Sequence, residues 1–222
     1  MVTDEGAFMA DQDQNDKALR ALFPTFMLEA DFPGFQQEKD ALLRRVYAIR
    51  DEDEAGRQWS AQHYPHGYTS YHSQDKLYSD PVFKNMVDYL FACAYDFGAK
   101  QFWDLDHFEL IMTQLFCNVN GKDCVHNDHV HPYSQISGVI YLKADAGTST
   151  IHFNDPRTAR WIVPAPLKQN RPENALVTTL RPEEGKTFLF PSWLEHGVAQ
   201  NQIEGERVSM SYNFDLRMKS SK

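Results

Sequence analysis

The sequence predicts a mainly β domain of the α+β class, a β-sandwich or jelly roll covered on one face by N-terminal helices. Helical periodicity is confined to the first half of the chain, and short apolar runs separated by Gly, Asn, Pro and Asp fill the second half. With 222 residues and 13% aromatic side chains, the chain suits one domain with a substantial core. We expect an acidic mobile tail at 1–18 and a single domain at 19–222, with a helical part (19–105) and a jelly-roll core (106–217).

Two segments of the helical part show the periodicity of amphipathic helices. Between Phe35 and Arg50, apolar residues recur every three or four positions, with charged residues on the other side. A second helix is predicted to begin at Asp80-Pro81, an N-cap residue followed by proline, and to end at Gly98. The stretch 56–80 is rich in Tyr, His, Ser and Gly without a clear period, and we predict an irregular covering loop there.

The jelly-roll core is predicted to contain six to eight strands, of which six are apparent in the sequence. They are Glu109–Val119, Ile136–Leu142, Thr150–Phe153, Leu176–Leu180, Lys186–Pro191 and Arg207–Leu216. The last strand alternates between an apolar face, predicted to pack under the helices, and a polar face, predicted to point into a cavity that holds a polar ligand. The polar face consists of Arg207, Ser209, Ser211 and Asn213.

Charge and hydropathy exclude several classes of partner. The net charge of -9 disfavours nucleic acid, because phosphate backbones repel an acidic surface. No apolar run is long enough to cross a membrane, and the acidic N-terminus lacks the basic and apolar regions of a secretory signal. The three cysteines show no disulfide framework, as expected of reduced thiols in the cytoplasm. These features leave a small-molecule or peptidyl substrate as the expected partner.

Four histidines and one arginine suggest a metal site with an anion-binding group. His126, His129 and His131 lie within six positions of one another, and His196 lies eleven residues before Arg207. Imidazole is the commonest ligand for divalent transition metals, and residues at i and i+2 of a strand lie on one face. Both His126-Asn-Asp128 and His129-Val-His131 therefore qualify as ligand pairs.

The segment between His196 and Arg207 is predicted to form a hairpin around the turn-like residues 201–205. In a regular hairpin the two residues would face each other with Cβ atoms about 5 Å apart. A metal on His196 and the fork of Arg207, which binds carboxylates bidentately, would then accommodate a short dicarboxylate. Ser209, two residues further on the same face, could add a hydroxyl to the same carboxylate.

Several stretches in the second half of the chain resemble the 2-oxoglutarate and iron(II) dependent oxygenases of the double-stranded β-helix superfamily. They are His129-Val-His-Pro132, Ser137-Gly-Val-Ile-Tyr-Leu142, Ile151-His-Phe-Asn-Asp-Pro-Arg157, Phe190-Pro-Ser-Trp-Leu-Glu-His196 and Arg207-Val-Ser-Met-Ser-Tyr-Asn-Phe214. The resemblance covers about residues 110–216, and it depends on the order and spacing of the stretches taken together.

The resemblance implies an enzyme whose cofactors are Fe(II), 2-oxoglutarate and O2. It implies that His129 and His196 are iron ligands and that Arg207 holds the distal carboxylate of 2-oxoglutarate, near the position of Tyr141. The implied reaction decarboxylates 2-oxoglutarate to succinate and hydroxylates a substrate that the sequence does not identify.

One departure from the superfamily leaves the ligand set open. The usual motif is His-x-Asp followed by a distant His, a spelling that His126-Asn-Asp128 has. The His-Pro and Ser-Gly-x-x-Tyr-Leu register after His129-Val-His131 favours that second pair, which would give three neutral ligands. The expected metal and catalytic residues are therefore His129, His131 and His196, with Arg207, Ser209 and Tyr141 binding the co-substrate.

Two other functions are compatible with a jelly roll. A cupin-like metal enzyme that does not use 2-oxoglutarate would also contain His-x-His, but residues 133–138 lack the glutamate that normally follows in cupins. A metal-free binding module would contain the histidines by chance, and it would have no need of an arginine beside them.

Overall fold

The computed structural model describes residues 20–220, and two antiparallel sheets form its framework. The predicted acidic tail at 1–18 lies outside the described residues. The strands are β1 (Leu28–Asp31), β2 (Gly67–Thr69), β3 (Phe108–Asn120), β4 (His126–His129), β5 (Ile136–Ala144), β6 (Ile151–Asn154), β7 (Val177–Leu180), β8 (Lys186–Pro191), β9 (His196–Val198) and β10 (Arg207–Met218). The major sheet has the order β1-β8-β5-β10-β3-β2, and the minor sheet has the order β4-β9-β6-β7. The six predicted strands are confirmed to within two residues at each end.

The described residues form three α-helices, which are α1 (Phe35–Glu52), α2 (Glu54–His63) and α3 (Lys84–Lys100). Of these, α1 and α3 cover the outer face of the major sheet, as the sequence predicts. The apolar faces of α1 and α3 form one buried cluster with the apolar face of β10, whose members are Val208, Met210, Tyr212 and Phe214. A second and smaller cluster fills the space between the two sheets with side chains of β5, β6 and β8. The fold is therefore a double-stranded β-helix with helices on one side.

The start and the end of α3 differ from the prediction. Asp80 accepts a hydrogen bond from the backbone nitrogen of Val82, but the turn that it caps is a 3-10 turn at Pro81–Phe83 that precedes α3. Gly98 is inside α3 and does not end it. A side chain there would crowd Trp103, since a Cβ atom would lie 3.1 Å from its ring, so the glycine serves a close contact.

The irregular loop predicted at 56–80 is wrong, because this stretch contains most of α2 and all of β2. Helix α2 buries only Gly56 and Ser60, two small residues that give no hydrophobic periodicity to detect. Its first turn is held by Asp53, which accepts hydrogen bonds from the Gly56 backbone nitrogen at 2.9 Å and the Tyr68 hydroxyl at 2.8 Å. The position of α2 is thus set by a buried carboxylate.

The predicted hairpin between His196 and Arg207 is also wrong. Strand β9 pairs with β4 and β6 in the minor sheet, whereas β10 pairs with β3 and β5 in the major sheet. Residues 199–206 carry the chain from one sheet to the other, and the buried Asn201 holds this crossing with bonds to the carbonyls of Gly121 and Gly205. The two residues therefore reach the site from different sheets. Within residues 20–220, each helix is too short or too polar to cross a bilayer.

Candidate active site

Three histidines converge at one end of the space between the sheets. His129 on β4 pairs directly with His196 on β9 in the minor sheet. His131 follows the end of β4, and its backbone nitrogen donates to the carbonyl of Ser192 at 2.9 Å. One ring nitrogen from each of the three lies within 4.8 Å of the others. The structure thus brings together the three residues that the sequence favours as metal ligands.

Hydrogen bonds to backbone carbonyls determine which ring nitrogens of His129 and His196 carry lone pairs. The Nδ1 atom of His129 lies 2.8 Å from the carbonyl oxygen of Asn127, and Nδ1 of His196 lies 2.8 Å from that of Leu194. A carbonyl oxygen only accepts, so Nδ1 carries the hydrogen and Nε2 carries the lone pair in both rings. The Nε2 atoms of His129 and His131 are 3.1 Å apart. Two ligand nitrogens that each lie about 2.1 Å from one cation, with an angle of about 90° at the cation, would be about 3.0 Å apart. The spacing of the two rings therefore fits a divalent metal.

Burial keeps the imidazoles neutral at physiological pH. Removal from water lowers the pKa of His196 to about 3 and that of His131 to about 4, and the nearby His129 adds to both effects. Burial likewise lowers the pKa of His129, although the Asn127 carbonyl opposes the shift. Neutral imidazole is the form that coordinates metals, so the cluster does not need to lose protons before it binds one.

The alternative ligand pair, His126 and Asp128, is not brought together. The ring of His126 stacks on that of His129 with centroids 4.2 Å apart, and it meets the edge of Tyr64. The carboxylate of Asp128 contacts Nε2 of His152 at 2.6 Å and Nδ2 of Asn154 at 2.9 Å. Asp128 is therefore engaged with β6 and is not part of the histidine cluster.

Arg207 lies at the start of β10 with only 3% of its surface exposed. Its Nη1 makes two long contacts to Ser149, at 3.4 and 3.5 Å, and its Nε has no hydrogen-bond partner among the described residues. A buried charge that pairs with no opposite charge is strongly unfavourable, so the guanidinium fits an anion that completes its bonds. A carboxylate matches its planar fork.

Ser209 and Tyr141 lie next to each other in the register of β10 and β5, and both are buried. Burial raises the pKa of Tyr141 to about 12, while the positive charge of Arg207 opposes the shift. The phenol therefore stays protonated and can donate a hydrogen bond near Arg207. The three predicted co-substrate residues occupy one region of the barrel wall.

The sequence did not predict the polar network that lies behind His131. Ser137 donates to the Asn213 side-chain carbonyl at 2.7 Å and shares a 2.8 Å contact with the hydroxyl of Ser192. Asn213 in turn donates to Gln114 at 2.7 Å. The network fixes Ser192, whose carbonyl oxygen accepts from His131. Only Asn213 carried a signal, as a polar residue on the inward face of the last strand.

Together, these groups can hold a divalent cation and a dicarboxylate. The three imidazoles occupy one side of the cation position and leave the other positions open for further ligands. The buried guanidinium supplies a second, fixed positive charge for an anion. A divalent cation and a guanidinium are both positively charged, so the site suits a small acid with two carboxylates.

Comparisons with known proteins agree with this description. Residues 114–213 match a family model described as "Putative 2OG-Fe(II) oxygenase". A comparison with curated proteins gives no significant match.

Three solved structures illustrate the likeness of fold. HygX from Streptomyces hygroscopicus, solved with nickel, 2-oxoglutarate and hygromycin B, is 14% identical with a TM-score of 0.55, over 86% of this chain and 83% of its own. A prolyl-4-hydroxylase from Pseudomonas putida is 14% identical with a TM-score of 0.58, over 86% and 93%. A collagen prolyl hydroxylase from Paramecium Bursaria Chlorella virus-1, solved with 2-oxoglutarate, is 13% identical with a TM-score of 0.51, over 85% and 94%. At these identities, the structures establish the fold alone.

Proposed function

We propose that this chain is a 2OG-Fe(II) oxygenase, the family whose model matches residues 114–213, and that His129, His131 and His196 hold its iron while Arg207 holds its co-substrate. The enzyme is an Fe(II)- and 2-oxoglutarate-dependent oxygenase. When bound, iron couples the decarboxylation of 2-oxoglutarate to the activation of O2. The observation that carries the residue assignment is a cluster of three neutral imidazoles together with a buried guanidinium that makes only two long contacts, both to Ser149, among the described residues.

The residues of the chain contribute binding, orientation and exclusion of water. The backbone carbonyls of Asn127 and Leu194 fix the tautomers of His129 and His196, so both rings present Nε2 inward. Arg207 pairs with the distal carboxylate of 2-oxoglutarate and thereby directs its keto acid end toward the histidines. The rigid wall formed by β5 and β10 holds that anion in a fixed register.

The hydroxyls of Ser209 and Tyr141 complete the carboxylate site. Each can donate one hydrogen bond, and both side chains are buried beside the start of β10. Aromatic side chains between the sheets, among them Phe153, Phe188 and Phe190, exclude water around the site. Low access to water strengthens every electrostatic contact made there.

We propose hydroxylation as the outcome and a small molecule or a peptidyl residue as the substrate. HygX was solved with hygromycin B, and the Pseudomonas neighbour is a prolyl-4-hydroxylase, so relatives of this fold include both classes. The cupin-like alternative is less well supported, because it leaves the buried charge of Arg207 without a role.

We also propose a domain organisation, a cellular location and a class of partner. Residues 19–222 would form one domain, with the helical part at 19–105 and the jelly-roll core at 106–217. A cytoplasmic location is supported by Cys93, Cys117 and Cys124, which are free and buried. The acidic charge supports a partner other than nucleic acid.

Anaerobic binding followed by turnover tests the proposed function. The protein should bind one Fe(II), and 2-oxoglutarate should then bind to the iron-loaded form with a new visible absorption band. On admission of O2 with ascorbate, succinate should form slowly even without a second substrate. If iron binds but neither 2-oxoglutarate binding nor succinate is detected, the cupin-like alternative gains. If iron does not bind, the binding module gains.

A further inference from the structure

The outer face of the minor sheet carries a hydrogen-bonded group that is separate from the histidine cluster. In the pairing of β6 with β9, Phe153 lies opposite His196 and His152 lies opposite Gly197. Phe153 packs inward on Phe190, with ring centroids 4.9 Å apart. Successive residues of a strand face opposite sides, so His152 and Gly197 face outward. The same alternation places Asn154 on the outer face.

Asp128 reaches this outer face from β4. One carboxylate oxygen lies 2.6 Å from Nε2 of His152, and the other accepts from Nδ2 of Asn154 at 2.9 Å. Strand β9 lies between β4 and β6, so the side chain crosses β9 at Gly197. A Cβ atom on Gly197 would overlap Asp128 Oδ1 and lie 2.9 Å from the His152 ring. The crossing therefore requires glycine at this position.

Strand β4 needs such support more than its neighbours do. It has four residues, it is an edge strand of the minor sheet, and its pairing with β9 shifts register between His126 and His129. An edge strand with a bulge keeps few ladder hydrogen bonds, and short pieces of this kind open readily. His129, on this strand, must stay opposite His196 for a metal to find both rings.

We propose that Asp128 is a positioning residue, which with His152 and Asn154 forms an outer strap that holds β4 and thereby His129 in place. The inference rests on the proposed function, because it concerns the same metal. It gives the aspartate of the superfamily-like spelling His126-Asn-Asp128 a role other than ligation. Both of its carboxylate oxygens are engaged on the face opposite the histidine rings.

Cobalt(II) titration of the full-length metal-free protein tests the strap. Asp128→Ala should weaken Co(II) binding by about 10- to 100-fold, the usual effect of losing a group that orients a ligand. Asp128→Asn should stay within roughly threefold of the wild type, because an amide can accept from Asn154 and donate to His152. His152→Ala should weaken binding in the same direction, and the double variant should be no worse than Asp128→Ala alone.

A matched control is available in Glu195. Its carboxylate accepts from the same Asn154 amide at 2.7 Å, but it lies on the segment before β9 and makes no side-chain bond to β4. Glu195→Ala should therefore leave Co(II) affinity within roughly twofold of the wild type, since surface changes away from such features are nearly neutral.

Hydrogen exchange on the metal-free protein gives a second readout that does not depend on metal. Asp128→Ala should speed exchange in a peptide covering 124–130, whereas a peptide from β10 should exchange as in the wild type. Equal acceleration in both peptides would indicate general destabilisation and would overturn the positioning role.

Three titration results would contradict the proposal in different ways. Wild-type affinity in Asp128→Ala would overturn the strap alone and leave the proposed function standing. Loss of binding in Asp128→Asn as complete as in Asp128→Ala would make the carboxylate itself a ligand. A wild-type protein that binds no Co(II) would overturn the proposed function and the strap with it.

Discussion

The two sheets hold their site residues in different ways. The central strands of the major sheet, β3, β10 and β5, have 13, 12 and 9 residues, whereas every strand of the minor sheet has three or four. The major sheet presents Arg207, Ser209 and Tyr141 from a wall whose other face is packed under helices. The minor sheet presents His129 and His196 from strands that have few backbone bonds. The proposed anion site thus depends on core packing, and the proposed metal site depends on local side-chain contacts.

Removal of one proposed metal-binding histidine should abolish metal binding without unfolding the protein. His131→Ala should abolish Fe(II) and Co(II) binding, because two imidazoles on one side of a cation hold it too weakly. The unfolding free energy of the metal-free protein should change by less than about 1 kcal/mol, since only a polar contact is lost. Metal titration and thermal melting check both points. Retained metal binding in His131→Ala would contradict the proposed ligand set. The control is His107→Ala, which removes an exposed histidine and should leave metal binding unchanged.

A core substitution in the major sheet should lower the stability of the protein without changing its metal affinity. Phe214 is fully buried and meets the ring of Phe91 edge-on with centroids 4.9 Å apart. Phe214→Ala should lower the unfolding free energy by about 3–5 kcal/mol. The folded fraction should still bind metal with wild-type affinity, because no histidine depends on this contact. Chemical denaturation and a Co(II) titration measure the two effects; a parallel loss of affinity would erase the distinction between the sheets.

Arg207→Met should separate binding from stability. Loss of the guanidinium should weaken 2-oxoglutarate binding to the metal-loaded enzyme by at least about 2 kcal/mol, roughly 30-fold. Metal affinity should not change. The ligand-free protein should become more stable by about 1–4 kcal/mol, because methionine replaces a buried charge that makes only long contacts to a neutral serine. Anaerobic titration and melting report these quantities, and a simultaneous loss of metal and 2-oxoglutarate would argue against the assigned role.

The smallest effect is expected at Ser209. If its hydroxyl bonds the carboxylate held by Arg207, Ser209→Ala should cost about 1 kcal/mol of 2-oxoglutarate binding, roughly fivefold. Ser211→Ala is the matched control on the same face of β10, since that hydroxyl accepts from Asn118 at 3.0 Å. A change at Ser211 as large as that at Ser209 would place the carboxylate elsewhere on the wall.

Sequence patterns predicted the features that depend on periodicity. The alternation along β10 predicted both the packing of Val208 to Phe214 under the helices and the inward direction of its polar residues. The His-x-His spacing predicted that the side chains of His129 and His131 lie close together, and their ring nitrogens belong to one cluster. Repeating patterns indicate which face of a strand or helix is buried, and the buried faces were predicted correctly for the long strands and for α1.

Features that depend on a single crossing or contact were beyond such patterns. The chain leaves the minor sheet after Val198 and enters the major sheet at Arg207, and a turn-rich segment reads the same whether it closes a hairpin or bridges two sheets. The contact of Asp128 with His152 joins residues 24 positions apart, and its one local sign is a glycine at 197. Side-chain contacts across an intervening strand leave no periodic trace.

The buried guanidinium of Arg207, whose Nε has no hydrogen-bond partner among the described residues, should link the stability of the folded protein to the concentration of small dicarboxylates. A dicarboxylate that pairs with Arg207 binds only the native chain, and at a hundred times its dissociation constant it adds about 2.7 kcal/mol to the unfolding free energy. Proteases that attack transiently opened molecules would meet about a hundredfold fewer of them. The protein should therefore be degraded more slowly in cells rich in 2-oxoglutarate and more rapidly when 2-oxoglutarate is scarce.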